Sequence, residues 1–174
     1  MLIKKKIRMH KEVQSGFTLI ELIIVIVILG ILAVVAAPRF IDIKGDAIIA
    51  ELTAVKGALK SANSLVYAKA VIVGQAKLES GAITTNGVTI STTLGNITPL
   101  AANVILALEG TYEVMANAND SITADWGVFN IPGGKSMYIV PKGYATFDNC
   151  NLLYNVDAAN TTEPTFYRIT TSGC

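Results

Sequence analysis

The chain has 174 residues, a formal net charge of +1 and an apolar fraction of 52%, which is high for a soluble domain of this length. Its single histidine, His10, lies in a basic N-terminal segment. The rest of the chain therefore offers no histidine for a catalytic triad or a zinc site. No spacing of other residues supports lysine or carboxylate chemistry, so we expect no catalytic residues, no metal, no cofactor and no enzymatic activity.

The charge is unevenly distributed along the chain. Residues 1–16 contain five Lys or Arg and one Glu, whereas the other 158 residues contain nine Lys or Arg and twelve Asp or Glu. This acidic remainder has no basic patch of the kind that binds nucleic acid. We expect no nucleic-acid partner.

An apolar segment follows the basic one. Residues 19–37 are apolar apart from Glu21 and Gly30, and a helix over residues 17–37 would be about 31 Å long, the thickness of a membrane's hydrocarbon core. Two ordinary interpretations are a secretory signal peptide cleaved after Ala37 and a permanent membrane anchor with its basic end in the cytoplasm. Glu21 within the apolar segment and Pro38 directly after the cleavage point argue against the signal peptide.

From Ile41 the pattern becomes that of an amphipathic helix. We predict one over residues 38–73, ending near Gly74, because apolar residues recur at helical spacing. Its apolar face is expected to pack against the rest of the chain as core. The stripe consists of Ile41, Ile48, Leu52, Val55, Leu59, Ala62 and Val66.

Residues 74–174 have the composition of a β-rich head. Thr98 as N-cap, Pro99 at the first helical position and Gly110 beyond the end predict one short helix. The segments WGVF, SMYIV, NLLYNV and TFYRIT predict strands separated by turn residues. A long helix packed on a small antiparallel sheet gives an α+β fold.

The segment GFTLIE, from Gly16 to Glu21, followed by an apolar helix with Pro38, resembles the prepilin signature of type IV pilins. The resemblance extends to about Ala70 and implies the pilin fold. It implies that a peptidase cleaves between Gly16 and Phe17, that residues 1–16 are a leader lost from the mature protein, and that the Phe17 amine is N-methylated. The leader is long for pilins that begin with Phe, and a start at Met9 would shorten it to eight residues.

Glu21 needs a partner, because a lone carboxylate in a bilayer helix costs about 2.5 to 3.5 kcal/mol on insertion scales. The resemblance implies that it pairs with the cationic Phe17 amine of a neighbouring subunit and sets the axial register. An intramolecular pair, or a side chain reaching the membrane surface, is the alternative. Gly30 and Pro38 delimit a stretch that either loosens on assembly or forms a simple kink.

Cys150 and Cys174 are the two cysteines of the chain. They resemble the C-terminal disulfide loop of type IV pilins, which implies a bond between them on the oxidising side of the membrane; free thiols are the alternative. The terminal SGC and the Asp125-Trp126 pair further resemble the mannose-sensitive haemagglutinin pilins.

The resemblance implies a major structural subunit that polymerises with itself into a surface fibre for adhesion, colonisation or biofilm formation. The implied partners are the inner membrane, a prepilin peptidase, an assembly ATPase, a platform protein and surface glycans. The precursor is expected in the inner membrane of a Gram-negative bacterium, with the leader cytoplasmic and the head periplasmic, before export to the extracellular pilus. A type II secretion pseudopilin, a minor pilin and a secreted adhesin are the alternatives.

Overall fold

A computed structural model describes residues 16–157, 159–160 and 164–174, and of residues 35–42 it describes the backbone alone. Almost all of the predicted leader, with His10 and both candidate start methionines, lies outside the described residues. The chain divides into two units, the first ending at Asp42 and the second running Ile43–Cys174. One helix, α1 (Leu19–Ile72), includes the boundary between them.

In the first unit, α1 exposes its large apolar side chains on every side. Exposure is 95% at Phe17 and 75% at Leu19, and it remains high at each Leu, Ile and Val up to Val34. Within the described residues, no helix is both long and apolar enough to cross a membrane, so the structure does not show the membrane helix predicted for residues 17–37. The backbone of α1 is helical through Gly30 and Pro38, and loosening there on assembly stays a prediction.

The second unit begins with the amphipathic part of α1, which ends at Ile72, two residues before Gly74 with its positive φ of 73°. Leu52 and Leu59 are completely buried in the core. Every predicted stripe residue from Ile48 to Val66 belongs to that core or packs against it. The predicted apolar face is therefore confirmed over this range.

A three-stranded antiparallel sheet, with strand order β1-β2-β3, follows α1. Its strands are β1 (Gly81–Thr85), β2 (Val88–Thr93) and β3 (Asn96–Ile97). Asn86 and Gly87 both have positive φ in the two-residue turn between β1 and β2, the geometry that closes a tight hairpin. This sheet was not predicted from the sequence.

A five-stranded sheet of order β4-β5-β6-β7-β8 completes the second unit. Its strands are β4 (Tyr112–Met115), β5 (Trp126–Asn130), β6 (Ser136–Pro141), β7 (Asn151–Val156) and β8 (Thr165–Thr170). The four strands predicted from apolar runs are confirmed as β5 to β8, and so is the α+β class. The predicted antiparallel sheet is confirmed over β5 to β8, and the structure adds β4, which pairs with β5 in parallel.

The predicted short helix exists as α2 (Ala101–Ala107), but its predicted cap is wrong. Leu100 occupies the N-cap position, and its own side chain makes no capping hydrogen bond. The Thr98 hydroxyl instead hydrogen-bonds the Thr93 hydroxyl at 3.0 Å, and the Ala101 N–H donates to Asn130 Oδ1 at 2.8 Å. An N–H group in the first turn of α2 is thus hydrogen-bonded to a side chain of β5 rather than to the N-cap residue.

Candidate functional site at the start of helix α1

The start of α1 is closed by a reciprocal pair of side chains, Thr18 and Glu21. The Glu21 N–H donates to Thr18 Oγ1 at 3.2 Å. In return, the Thr18 N–H donates to Glu21 Oε2 at 2.8 Å, and the Thr18 hydroxyl donates to the same oxygen at 2.9 Å. This is a capping box, in which two N–H groups without helical partners are satisfied at once.

The capping box supplies a local reason for a carboxylate at position 21. A negative charge in the first turn of a helix interacts favourably with the partial positive charge at the helix N-terminus. Glu21 therefore has a hydrogen-bond partner within its own chain, and that partner is Thr18. Both hydrogen bonds from Thr18 reach Oε2, so Oε1 takes part in neither. The pairing of Glu21 with the Phe17 amine of a second chain stays a prediction.

Thr18 is the residue that sequence reasoning missed. The signal was present as the spacing T-x-x-E directly before an apolar helix, which is a recognised helix-start pattern. The sequence-based prediction treated Glu21 as a lone charge in an apolar segment and did not include Thr18, three residues earlier.

The predicted cleavage site lies immediately before the capping box. Gly16 and Phe17 precede the first helical residue, and both are exposed. Among the residues that the structure describes, none beyond the chain neighbours of Gly16 has a heavy atom within 4 Å of a Cβ built there. The Gly16–Phe17 peptide bond is therefore outside the helix, in backbone that a peptidase can approach. Cleavage itself stays a prediction.

The disulfide between Cys150 and Cys174 is present and confirms the pairing implied by the resemblance. Cys150 is completely buried directly before β7, and Cys174 follows β8, so the bond links the start of β7 to the end of β8, two adjacent strands of the larger sheet. The Tyr144 hydroxyl donates to the Cys174 carbonyl oxygen at 3.2 Å. A Cβ on Gly173 would overlap the Asp148 carbonyl oxygen, which requires glycine in this loop.

Acidic side chains of the second unit accept hydrogen bonds from residues in its loops. Glu113 Oε2 accepts hydrogen bonds from the Thr123 and Ala124 N–H groups, and the backbone bond from Thr123 is the main cause of the lowered Glu113 pKa. Asp125 and Thr111 exchange two hydrogen bonds at the start of the parallel strands. In the described part of the chain, no three His, Cys, Asp or Glu residues are placed to hold a metal ion.

Comparison with known proteins points to the same end of the chain. Residues 13–37 match the family model described as the prokaryotic N-terminal methylation motif. The chain carries that motif. It places Gly16, Phe17, Thr18 and Glu21 within one matched segment.

Two curated proteins are similar to part of the chain. The type IV narrow pilus major component PilA5 of Thermus thermophilus is 49% identical over 56 residues, which are 32% of this chain and 48% of that protein. The fimbrial protein EcpC of Eikenella corrodens is 48% identical over 59 residues, which are 34% of this chain and 39% of that protein. The chain thus covers less than half the length of each relative. No solved structure matches the chain significantly.

Proposed function

We propose that the protein is the major structural subunit of a type IV pilus and that it polymerises with itself into a surface fibre. The observation that carries the proposal is the N-terminal methylation motif over residues 13–37, located where a capped, apolar helix begins. The names of the two relatives, a pilus major component and a fimbrial protein, support the same role. The role is structural rather than catalytic.

Assembly would be driven by the apolar side chains of residues 17–34, which are exposed among the described residues of the chain. Burial of apolar surface is worth about 25 cal/mol per Å², and a helix that is apolar on all sides is stable in lipid or among helices of the same kind. We propose that it occupies each environment in turn: the inner membrane of a Gram-negative bacterium as precursor, then the core of the extracellular fibre.

Processing at Gly16 and Phe17 is part of the proposal. A prepilin peptidase would remove the leader and leave a methylated, cationic amine on Phe17. The capping box uses residues 18 and 21 alone, so cleavage before Phe17 would leave it intact. Glu21 would then meet the Phe17 amine of the next subunit through its second carboxylate oxygen, which fixes the axial register and gives both charges a partner.

Further details of the proposal rest on the sequence. The terminal SGC and the Asp125-Trp126 pair support the mannose-sensitive haemagglutinin type of pilin, with surface glycans as adhesion targets. An assembly ATPase and a platform protein would complete the assembly machinery. The disulfide loop favours a pilin over a type II secretion pseudopilin. A minor pilin would occur in purified fibres in trace amounts, whereas a major subunit would form their bulk.

The test replaces Glu21 by alanine in the full-length protein expressed in its host. We expect normal amounts of Glu21→Ala protein in the membrane fraction and a large loss of fibres sheared from the cell surface. Glu51→Ala is the matched control, because Glu51 is the other glutamate of α1 and is exposed, and it should assemble normally. A wild-type yield of fibres from Glu21→Ala would contradict the assembly role.

A further inference from the structure

A cavity of about 950 Å³ lies in the second unit, beside the last turns of α1. Its walls come from α1, from the segment that follows α1, from the turn before β3 and from β8. The volume lies at the upper end of the range typical of small-ligand sites, about 300 to 1,000 Å³. The methylation motif and the disulfide are both outside it.

The described lining of the cavity is positively charged. Lys60 and Lys77 line it, and no carboxylate belongs to its described lining. The Lys60 ammonium lies 5.4 Å from the centre of the Tyr167 ring, within the distance of a cation–π contact. That contact holds the charge at the wall of the cavity. An anionic group of a ligand would find two ammonium groups there.

The cavity is also aromatic and has a fixed polar floor. Tyr67 lines the cavity and is 45% exposed, so part of this residue is accessible to a ligand. The buried floor contains Asn63 and Asn96, joined by a hydrogen bond of 2.8 Å from Asn63 Nδ2 to Asn96 Oδ1. The Ile97 N–H donates to Asn63 Oδ1 at 2.7 Å. These bonds fix the amides before any ligand binds.

We propose that this cavity binds an acidic sugar, a hexuronate residue of a surface or host polysaccharide. Its carboxylate would lie near Lys60 and Lys77, its apolar ring face against Tyr67, and its hydroxyls near Ser64. A neutral sugar would leave both ammonium groups unused, and inorganic phosphate would leave the tyrosine ring unused. The proposal deepens the adhesive role of the proposed fibre and rests on that function for its setting.

Charge also distinguishes a sugar from a nucleic acid. Residues 17–174 contain nine Lys or Arg against twelve Asp or Glu, so this part of the chain has no excess of basic residues from which to build an extended basic groove. Single-stranded nucleic acid needs a positive groove that follows its backbone over several phosphates. Two lysines at one cavity suffice for a single carboxylate.

The experiment titrates detergent-solubilised full-length protein with trigalacturonate by isothermal titration calorimetry. We expect saturable binding that weakens at high salt and is at least tenfold weaker for the neutral trisaccharide of galactose. Lys60→Gln, Lys77→Gln and Tyr67→Leu should each weaken it about tenfold, the loss typical of one charge-assisted bond or one stacked ring. Lys69→Gln is the matched control, an exposed lysine of α1 outside the cavity, and should bind as wild type.

Several results would overturn the site: absence of binding, equal affinity for the neutral trisaccharide, equal losses in Lys60→Gln and Lys69→Gln, or tighter binding of a thymidine oligonucleotide. Because Lys77 lies in an exposed segment after α1, Lys77→Gln keeps the test valid if Lys60→Gln is poorly folded. Fibre yield is scored separately by electron microscopy. Normal fibres without trigalacturonate binding would refute the sugar site alone, whereas binding without fibres would refute the pilus subunit alone.

Discussion

The two parts of helix α1 differ in what covers their apolar side chains. Before Val34, leucines, isoleucines and valines are exposed around the whole helix, as at Leu29 with 58% exposure. After Ile43, apolar residues form one stripe, and Leu52 and Leu59 are completely buried beneath the sheets. The sequence patterns differ in the same way, because the first part is apolar at nearly every position and the second at every third or fourth.

Because of this difference, we expect one part of α1 to contribute to folding and the other to assembly. The striped part of α1 obtains its cover within the chain, so its side chains should determine the free energy of unfolding. The uniformly apolar part obtains no cover among the described residues of its own chain, so its side chains should determine partition into membrane or fibre. We call residues 19–34 the uncovered part of α1 and residues 43–72 the covered part. The capping box at Thr18 and Glu21 lies at the start of the uncovered part. The disulfide lies in the sheet that covers the other part.

The largest predicted effect is that of Leu59→Ala, which removes a buried side chain from the covered part. Creation of a cavity of this kind costs about 2 to 5 kcal/mol, and urea unfolding of the full-length protein in detergent measures it. Leu29→Ala, the same substitution in the uncovered part, should change the free energy of unfolding by less than about 0.5 kcal/mol and lower the fibre yield. Equal destabilisation by the two substitutions would contradict the division.

Removal of the disulfide should have the next largest effect. The bond closes a loop with a sequence separation of 24 residues, and the chain-entropy model gives about 3 kcal/mol for such a loop. The double variant Cys150→Ser with Cys174→Ser should therefore unfold at lower urea concentration. Unchanged stability would mean that the hydrogen bond from Tyr144 to Cys174 and strand pairing hold the loop without the covalent bond.

Tyr154→Phe should cost about 1 to 3 kcal/mol at neutral pH, because it leaves the buried Ile97 carbonyl without the hydroxyl that donates to it at 2.7 Å. Burial also raises the pKa of Tyr154 above its usual range. The unfolded chain ionises this tyrosine near pH 10, while the folded chain keeps it neutral. The contribution of Tyr154 to stability should thus be constant below about pH 10 and fall as pH rises further.

The variant provides the control for that pH dependence. Tyr154→Phe should lose stability less steeply than wild type above about pH 10, since it no longer contains this group. Identical slopes in the two proteins would show that Tyr154 does not stay neutral in the folded state.

The smallest predicted effect is at the start of the helix. Thr18→Val removes the capping hydroxyl and should cost about 1 kcal/mol of local helix stability, whereas Thr18→Ser should retain it. Hydrogen exchange of the Leu19 to Glu21 amides measures the change, and urea unfolding of the covered part should not respond. Unchanged exchange in Thr18→Val would mean that the reciprocal hydrogen bonds do not stabilise the first turn.

The sequence was sufficient to predict those elements in which the pattern of apolar residues matches the side chains that are buried. Strands β5 to β8 were predicted because each is a short apolar run between turn residues, and the core stripe of α1 follows from helical spacing alone. Strands β1 and β2 were missed because each buries a single isoleucine, Ile83 or Ile90, among threonines. A strand with so little buried apolar surface is difficult to distinguish from a polar loop.

The remaining errors come from partners that sequence does not reveal. The start of α2 depends on Asn130, 29 positions away, so local capping rules selected the wrong residue at Thr98. The capping box at Thr18 is local and was open to prediction. The spacing T-x-x-E indicates it without any information on distant partners. The disulfide followed from resemblance, not from spacing.

The central claim is that the mature protein begins at Phe17 and retains the uncovered part of α1. The most direct measurement is the intact mass, with N-terminal fragments, of protein sheared from the cell surface. We predict a chain that begins with methylated Phe17 and is two hydrogens lighter than its reduced form because of the disulfide. A chain that begins at Pro38 would mean an ordinary secreted protein that loses the uncovered part of α1, and would contradict the assembly account.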